Sequence, residues 1–465
     1  MLIIKRWLQD LRAALSGEEH DYTKGPIGRA LFLLSVPIVL EMSMEALFAI
    51  FDAFYVSLLD NEEYLATIGL TETALFLVVS LALGISMAAT AMVSRRIGEG
   101  DKERAADAAF QSLLIAIAFS VIIGVSGYLY AEDLLRMLGG SEQLIKEGAV
   151  YTRIMLTFNI VLMLLYAINA IFRGAGDATI AMWTLILANG INIILDPCLI
   201  FGLGPFPEMG FKGAAVATCI GRGIGVIFQL YHLFYGSRII RLGFKNFKII
   251  GSTIKKLLFI TGGSAGQHLI TSASWIVMIT IVAAFGSKVI AAYTIAWRII
   301  AFTILPAWGI AMASATLVGQ NLGAGKPDRA EKTVWKAAYY NMILLLVISV
   351  IAIICAHPII GIFTDDPEVL RYGVLGLRII FAGYVFYAYE MVIGQSFNGA
   401  GDTYTPTILN AICFWIIQIP LAYFLGHYLE LASTGVFVAI ALSSCILAVM
   451  AIVVFRRGHW KKVKI

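Results

Sequence analysis

Gly84-Ile-Ser-Met-Ala-Ala-Thr-Ala-Met-Val-Ser-Arg-Arg-Ile-Gly-Glu-Gly100 returns later in the chain as Gly309-Ile-Ala-Met-Ala-Ser-Ala-Thr-Leu-Val-Gly-Gln-Asn-Leu-Gly-Ala-Gly325. The offset is 309 − 84 = 225, and Arg104-Ala105 then aligns with Arg329-Ala330. Well beyond that stretch, Phe172-Arg-Gly-Ala-Gly-Asp177 matches Phe397-Asn-Gly-Ala-Gly-Asp402, and 402 − 177 is again 225. Two separated motifs that share one offset make the chain a tandem duplication.

What is duplicated follows from composition. Apolar residues are 60% and charged residues 14% of the 465, with a mean hydropathy of +0.85, where a soluble domain is near half apolar and a quarter charged. At roughly 20 apolar residues per crossing, the chain has room for a dozen spans and no large soluble domain. Apolar segments fall at 30–58, 64–93, 107–130, 147–171, 178–203, 212–236, 257–285, 289–318, 335–356, 373–398, 404–426 and 433–455. The expected fold is therefore an all-α polytopic membrane protein of twelve transmembrane helices in two six-helix bundles. Because six is even, both copies insert the same way round, which implies a pseudo-two-fold axis along the membrane normal and a solute path between the halves. The expected divisions are a cytoplasmic amphipathic lead-in (1–29), an N-terminal bundle (30–236), a basic cytoplasmic linker (237–256), a C-terminal bundle (257–456) and a basic tail (457–465).

The net charge of +4 reports orientation rather than a nucleic-acid partner. Lys and Arg concentrate in alternate connections: Arg95, Arg96, Lys102 and Arg104; Arg173; Arg238, Arg241, Lys245, Lys248, Lys255 and Lys256; Lys326, Arg329, Lys332 and Lys336; and Arg456, Arg457, Lys461, Lys462 and Lys464. The intervening connections carry acids, such as Asp60, Glu62 and Glu63, then Glu132 and Asp133, then Asp365, Asp366 and Glu368. Basic connections stay in the cytoplasm, so both termini are expected inside, in a prokaryotic cytoplasmic membrane. The lead-in carries Lys5, Arg6, Asp10, Arg12, Glu18, Glu19, Asp21 and Lys24 without an apolar core and cleavage site.

Ionisable groups inside spans are costly and mark function by default. Glu41, Glu45 and Asp52 in the first span are 4 and 7 residues apart and form one stripe about 40° wide, with Phe48 beside it. Asp52, Asp196 in the fifth span and Thr218 in the sixth lie at similar depth, and Asn192 precedes Asp196 by one turn. These four are the candidate cation- or proton-binding residues, with oxygen ligands suited to Na+. The alternative reading is that Asn192 and the Asp196-Pro197 pair only satisfy backbone groups at a helix irregularity. Arg222, four residues after Thr218, is placed to pair with Glu45. Val277 and Leu421 occupy the positions that the duplication pairs with Asp52 and Asp196, so the acidic cluster belongs to the first half alone. What the second half offers instead is His268 and Glu390, with Arg298, Arg378 and Gln395 nearby, as candidates for a second protonation or substrate site, set against the reading in which the ion site belongs to the first half only.

Other signals are structural. Gly221-Arg-Gly223-Ile-Gly225 lies within a span and lacks the preceding strand of a phosphate loop, so it reads as close helix packing, as does Gly262 to Gly266. Cys198, Cys219, Cys355, Cys413 and Cys445 lie in apolar stretches without CxxC spacing or metal-type His neighbours. There is no Walker motif, no Ser/His/Asp arrangement and no metal-ligand spacing, so an enzyme and a cofactor are not expected, and an ion gradient is the remaining driving force.

Ser35-Val-Pro37, Asp52, Arg95-Arg-Ile-Gly98, Arg173-Gly-Ala-Gly-Asp177 and Asn192-Ile-Ile-Leu-Asp-Pro197 resemble the multidrug and toxic compound extrusion (MATE) family from Gly25 to about Arg457. The likeness is to its DinF-like and archaeal branch, whose first-half cation site matches Asp52, Asn192, Asp196 and Thr218. Phe48 stands where that branch often has Tyr, and Glu41 and Glu45 are additional to its pattern. The resemblance implies a V-shaped pair of bundles that alternates between outward-open and inward-open forms, with Pro37 at the point where the first helix bends. It implies secondary active antiport: an amphipathic, cationic organic solute leaves in exchange for H+ or Na+. A monomer is expected. A flippase for a lipid-linked saccharide, from the same superfamily, is the alternative, though its cavities tend to be basic where the first-half spans here are rich in acids. A membrane-embedded enzyme or a sensor is the remote one.

Overall fold

The computed structural model describes residues 2–59, 62–236, 239–429 and 431–465, and leaves the side chains of residues 1–7, 53, 57, 60–63, 65, 147, 237, 238 and 430 undescribed. The charges read from Lys5, Arg6, Asp60, Glu62, Glu63 and Arg238 therefore lie outside the described side chains. In chain order the helices are α1 (Leu2–Ser16), α2 (Ile27–Ser57), α3 (Glu62–Gly98), α4 (Lys102–Met137), α5 (Glu142–Thr157), α6 (Asn159–Ala175), α7 (Ala178–Phe201) and α8 (Phe211–Tyr235). Then follow α9 (Gly251–Ala283), α10 (Ser287–Gly323), α11 (Pro327–Ile354), α12 (Ala356–Gly361), α13 (Pro367–Ala382) and α14 (Tyr384–Ala400). The stretch Tyr404–Tyr428, partly π-helical, and the helix Ala432–Arg456 complete the series.

Ten of these are long and apolar enough to cross a bilayer, and the bent pairs α5–α6 (41°) and α13–α14 (55°) bring the spans to twelve. The expected count holds, but the uninterrupted segments 147–171 and 373–398 do not. Their breaks fall at Phe158 and Gly383, which the duplication pairs with each other. Side-chain donors cover the carbonyls that each bend exposes. Asn159 Nδ2 donates to Leu156 O (2.6 Å) and Ser120 O (3.0 Å), and Ser349 Oγ donates to Phe381 O (2.6 Å). A bend inside a membrane persists where neighbouring groups satisfy the freed backbone in this way.

The duplication is written in the helix ends. The first and last residues of α3 and α10, of α5 and α13, and of α6 and α14 are all related by the offset of the sequence repeat. The two repeated motifs pack against each other. A Cβ on Gly174 would lie 3.0 Å from Thr90 O, and one on its counterpart Gly399 would collide with the carbonyl of Ala315, the counterpart of Thr90. Only glycine lets α6 and α14 lie this close to α3 and α10. At 37 residues α3 spans about 55 Å, so its charged end, Arg95 and Arg96, projects beyond a hydrocarbon core of roughly 30 Å.

The compact units divide the chain otherwise than at residues 237–256. One unit comprises Met1–Asp21 and Val36–Ala265, the other Tyr22–Ser35 and Gly266–Ile465. The boundaries run inside α2 and α9 because each of these helices packs its first part within the other half's unit. In the first unit a Cβ on Gly84 of α3 would meet Thr261 O of α9 at 2.8 Å. In the second, Gly28 of α2 is as close to the Tyr340 hydroxyl of α11, 2.9 Å from its built Cβ. α2 itself runs unbroken through Pro37.

Candidate functional site

The site of the first unit is built on the pairing of α7 with α8. A Cβ on Gly221 would lie 2.7 Å from Ala188 O, so the glycine-rich turn of α8 does act as a packing surface. That closeness lets Asn192 Nδ2 donate both to Asp196 Oδ1 (3.2 Å) and to Thr218 Oγ1 (3.3 Å). With its amide nitrogen committed, Asn192 turns Oδ1 away, and both Asn192 Oδ1 and Asp196 Oδ2 are buried without a hydrogen-bond partner among the described residues.

α2 brings Asp52 to the same place. Val56, Ile200 and Ala214 belong to one apolar cluster with Tyr151 and Phe211. They stand one turn from Asp52, Asp196 and Thr218 respectively, so the three polar side chains lie under a common plug. Tyr151 and Tyr64 stack on Phe211 at 4.4 and 4.6 Å. Asp52 forms no hydrogen bond or ion pair among the described residues, and its charge reaches the carboxylate of Asp196. Asp52, Asp196 Oδ2, Asn192 Oδ1 and Thr218 Oγ1 make a set of hard oxygen donors of the kind that suits alkali and alkaline-earth cations or a proton, without the thiolates or imidazoles that select transition metals.

The other two carboxylates of the α2 stripe are ion-paired within the protein. Arg222 Nη2 reaches Glu45 Oε1 at 3.1 Å, as the helical spacing led one to expect, while Asn189 Nδ2 donates to Met44 O (3.0 Å) and the ring of Phe48 lies 4.9 Å from the guanidinium. The partner of Glu41 was not foreseen. Arg173, read from sequence as a cytoplasmic loop residue, is only 4% exposed and pairs with Glu41, itself 1% exposed, at 2.5 Å. Asn169 Nδ2 donates to the same Glu41 oxygen (3.0 Å), Gln229 Nε2 donates to Asn169 Oδ1, and Arg173 Nη2 donates to Ser86 Oγ (3.2 Å). Helix α6 continues through Arg173 and ends at Gly176, whose φ of 95° is reserved for glycine, so the basic residue stays inside the bundle.

Sequence reasoning also passed over Tyr151 and over Glu72, a third carboxylate whose charge, like the opposite and stronger one of Arg222, reaches Asp52. Neither stands on the stripe of α2 that drew attention.

The second unit assembles no comparable site from the residues expected there. His268 stacks on Trp308 at 6.3 Å, Arg378 Nε donates to Ile353 O (3.2 Å), and Gln395 Oε1 accepts from Asn398 (3.4 Å). No hydrogen bond or ion pair joins His268, Glu390 or Arg298 to one another among the described residues. Ile417, Leu421 and Val277 stand where Asn192, Asp196 and Asp52 would recur, and Ser443 keeps only a hydroxyl in place of Thr218. All five cysteines are free, and no three His, Cys, Asp or Glu converge among the described residues.

Residues 37–198 and 264–424 match the family model MatE. The "Probable multidrug resistance protein NorM" of Thermotoga maritima is 26% identical over 438 residues, covering 94% of each chain. The "FAD transporter" of Shewanella oneidensis is 25% identical over 444 residues, 93% of this chain and 95% of its own. Among solved structures, a MATE protein in complex with MaL6 superposes with a TM-score of 0.89 at 26% identity, covering 95% of this chain and 99% of that one.

Proposed function

Because the chain belongs to the MatE family, a family of transporters and not of enzymes, we propose that it is a multidrug efflux protein that works as a secondary antiporter. It exports amphipathic, cationic organic solutes in exchange for H+ or Na+ by alternating access. It acts as a monomer in a prokaryotic cytoplasmic membrane with both termini inside.

The carrying observation is what remains after the buried charges are paired. In the first unit Glu41 is ion-paired with Arg173 and Glu45 with Arg222, whereas Asp52, which feels the charge of Arg222 without contacting it, and Asp196 have no ion-pair partner among the described residues, and Asn192 Oδ1 and Asp196 Oδ2 are orphaned. Such groups cost free energy unless something cationic joins them. An ion from outside joins them and favours one conformation. Its differential affinity for the two states is what couples it to expulsion of the solute.

The test is transport of a fluorescent organic cation by the reconstituted protein in liposomes, under an imposed proton gradient and then a sodium gradient. Wild type should respond to one gradient, which names the ion, and Asp52→Asn should respond to neither. Full ion-driven transport by Asp52→Asn would refute the site. No transport by a folded wild type under either gradient would instead bring forward the lipid-linked saccharide flippase. The similarity to a protein named FAD transporter supports a second reading, an anionic cargo, for which Arg173 or Arg222 would have to give up its carboxylate.

A further inference from the structure

We propose that Glu72 on α3 is the entry carboxylate of the ion path, an exposed acid at the depth of Asp52 that takes the incoming cation from water and passes it to Asp52 and then to Asp196. The inference rests on the ion-coupled reading above and adds to it a residue outside the four oxygen donors.

The placement follows from α3. Tyr64 and Ile68 pack against the apolar cluster of Val56, Tyr151, Ile200, Phe211 and Ala214 that plugs the ion site. Glu72 is the next residue on that face of the helix, one turn beyond Ile68 and two beyond Tyr64. Asp52 and Asp196 come four residues before Val56 and Ile200, and Thr218 comes four after Ala214. Since α3 and α8 run back across the membrane against α2 and α7, all four residues reach the same layer beneath the plug. A hydrogen bond between the hydroxyls of Thr71 and Thr152 (2.7 Å) ties the residue before Glu72 to the residue after Tyr151.

Within that layer burial deepens along a series. Glu72 is exposed, Asp52 is half-buried and Asp196 is fully buried. The three carboxylates do not converge on one point among the described residues, so Glu72 is not a further ligand of an ion held by the other two. Its charge reaches Asp52, while Asp196 feels the charge of Asp52 and not that of Glu72. At the inner end of the series Asp196 Oδ2 and Asn192 Oδ1 are orphaned, on residues 0% and 1% exposed, and a cation arriving by way of Asp52 satisfies them. Glu72 itself has no hydrogen bond or ion pair among the described residues. It stands about 15 Å along α3 from the start of the helix, where an unpaired carboxylate is tolerated if it meets water rather than lipid, so its exposure marks an aqueous approach. Arg222, whose charge also reaches Asp52, is held by Glu45, seven residues back along α2 and away from the plug.

The duplication separates this role from the scaffold. Trp297 and Val277 stand where Glu72 and Asp52 would recur. Trp297 is 39% exposed, so the position opens outward in both units and requires no charge to hold the fold. The acid is present in the half that carries the cation ligands and absent from the half that does not.

The experiment is transport of a fluorescent organic cation by the full-length protein in liposomes, with the initial rate read against the concentration of the coupling ion, first protons and then sodium. Glu72→Gln should raise the half-saturating ion concentration about tenfold, the lower end of what a cleft lined by one sign of charge does for counter-ion capture, and leave the maximal rate unchanged. Glu72→Asp should titrate as wild type does. The gap between Glu72→Gln and wild type should narrow as potassium chloride is raised equally on both sides, because salt screens an exposed carboxylate. Melting temperatures equal to that of wild type check the fold of each variant. A wild-type half-saturating concentration in Glu72→Gln overturns the entry role. So does a folded Glu72→Gln that has lost its maximal rate at saturating ion, since that is how a ligand of the coupling site behaves. Asp52→Asn tells the two claims apart. If it keeps full ion-driven transport, the ion-coupled reading falls and the entry role with it. If it is inactive while Glu72→Gln titrates as wild type, the entry role alone falls.

Discussion

Replacing Glu41 by Gln leaves the Arg173 guanidinium, 4% exposed, without its counter-ion and with Ser86 Oγ at 3.2 Å as its main remaining partner. Breaking one side of a buried pair costs about 3–5 kcal/mol, because the surviving charge stays desolvated. A unit of about 250 residues loses roughly 2–4 °C of melting temperature per kcal/mol, so Glu41→Gln should melt about 6–20 °C below wild type. Arg173→Met should cost a similar amount, since it strands a carboxylate that keeps only the Asn169 amide at 3.0 Å. The double variant has no buried charge to strand and should recover well over half of the summed loss. The assay is thermal unfolding of the four purified proteins in one detergent, followed by intrinsic fluorescence. If the two single losses add to within about 0.5 kcal/mol in the double variant, the residues are not coupled and the charge balance that singles out Asp52 and Asp196 is wrong.

Asp196→Asn should abolish ion-driven export in the liposome assay as Asp52→Asn does, whereas Glu390→Gln should be milder, and equal losses would extend the ion path to the second unit. Gly399→Ala drives a Cβ into Ala315 O and should lower the melting temperature by several degrees, while Gly394→Ala in the same helix has no atom within 4 Å of its Cβ and should leave it unchanged or raised. Gly266 and Asn398 are the second-half counterparts of Glu41 and Arg173. Gly266→Glu alone should therefore destabilise the second unit by stranding a carboxylate, and adding Asn398→Arg should restore part of the loss in the same melts.

The spans and their duplication were legible because they are periodic and local: apolar runs of bilayer length, and motifs that recur at one offset with the helix ends they belong to. The Glu45–Arg222 contact was legible too, since helical spacing put both at similar depth. The Glu41–Arg173 pair was not, because Arg173 directly precedes Gly174-Ala-Gly176 and reads as the edge of a loop. Only the tertiary packing of α6 on α3, through Gly174, shows that the helix carries it into the core. The bends at Phe158 and Gly383 contain no proline, and the donors that permit them, Asn159 and Ser349, declare their partners only once α4 and α11 are in place. The unit boundaries within α2 and α9 escaped for the same reason: hydropathy reports that a helix is buried in apolar surroundings, not whose surroundings they are.

The pattern of divergence between the halves has a physical logic. Scaffold positions were kept, as in Gly174 and Gly399 or Gly176 and Gly401, because any side chain there collides or strains. The polar network of the first unit, Gln229, Asn169, Glu41, Arg173 and Ser86, is answered in the second by Val454, Gly394, Gly266, Asn398 and Ala311, so no member kept its charge. The cation ligands went the same way, to Val277, Ile417, Leu421 and Ser443. A half-dismantled network would leave an uncompensated charge worth about 3–5 kcal/mol inside a protein whose whole stability is of order 5–15 kcal/mol. Buried charges are therefore held or lost as sets. A set that persists in one half without being needed by the scaffold of the other, and that still contains two carboxylates without an ion-pair partner among the described residues, is the arrangement that the proposed exchange of a cation requires.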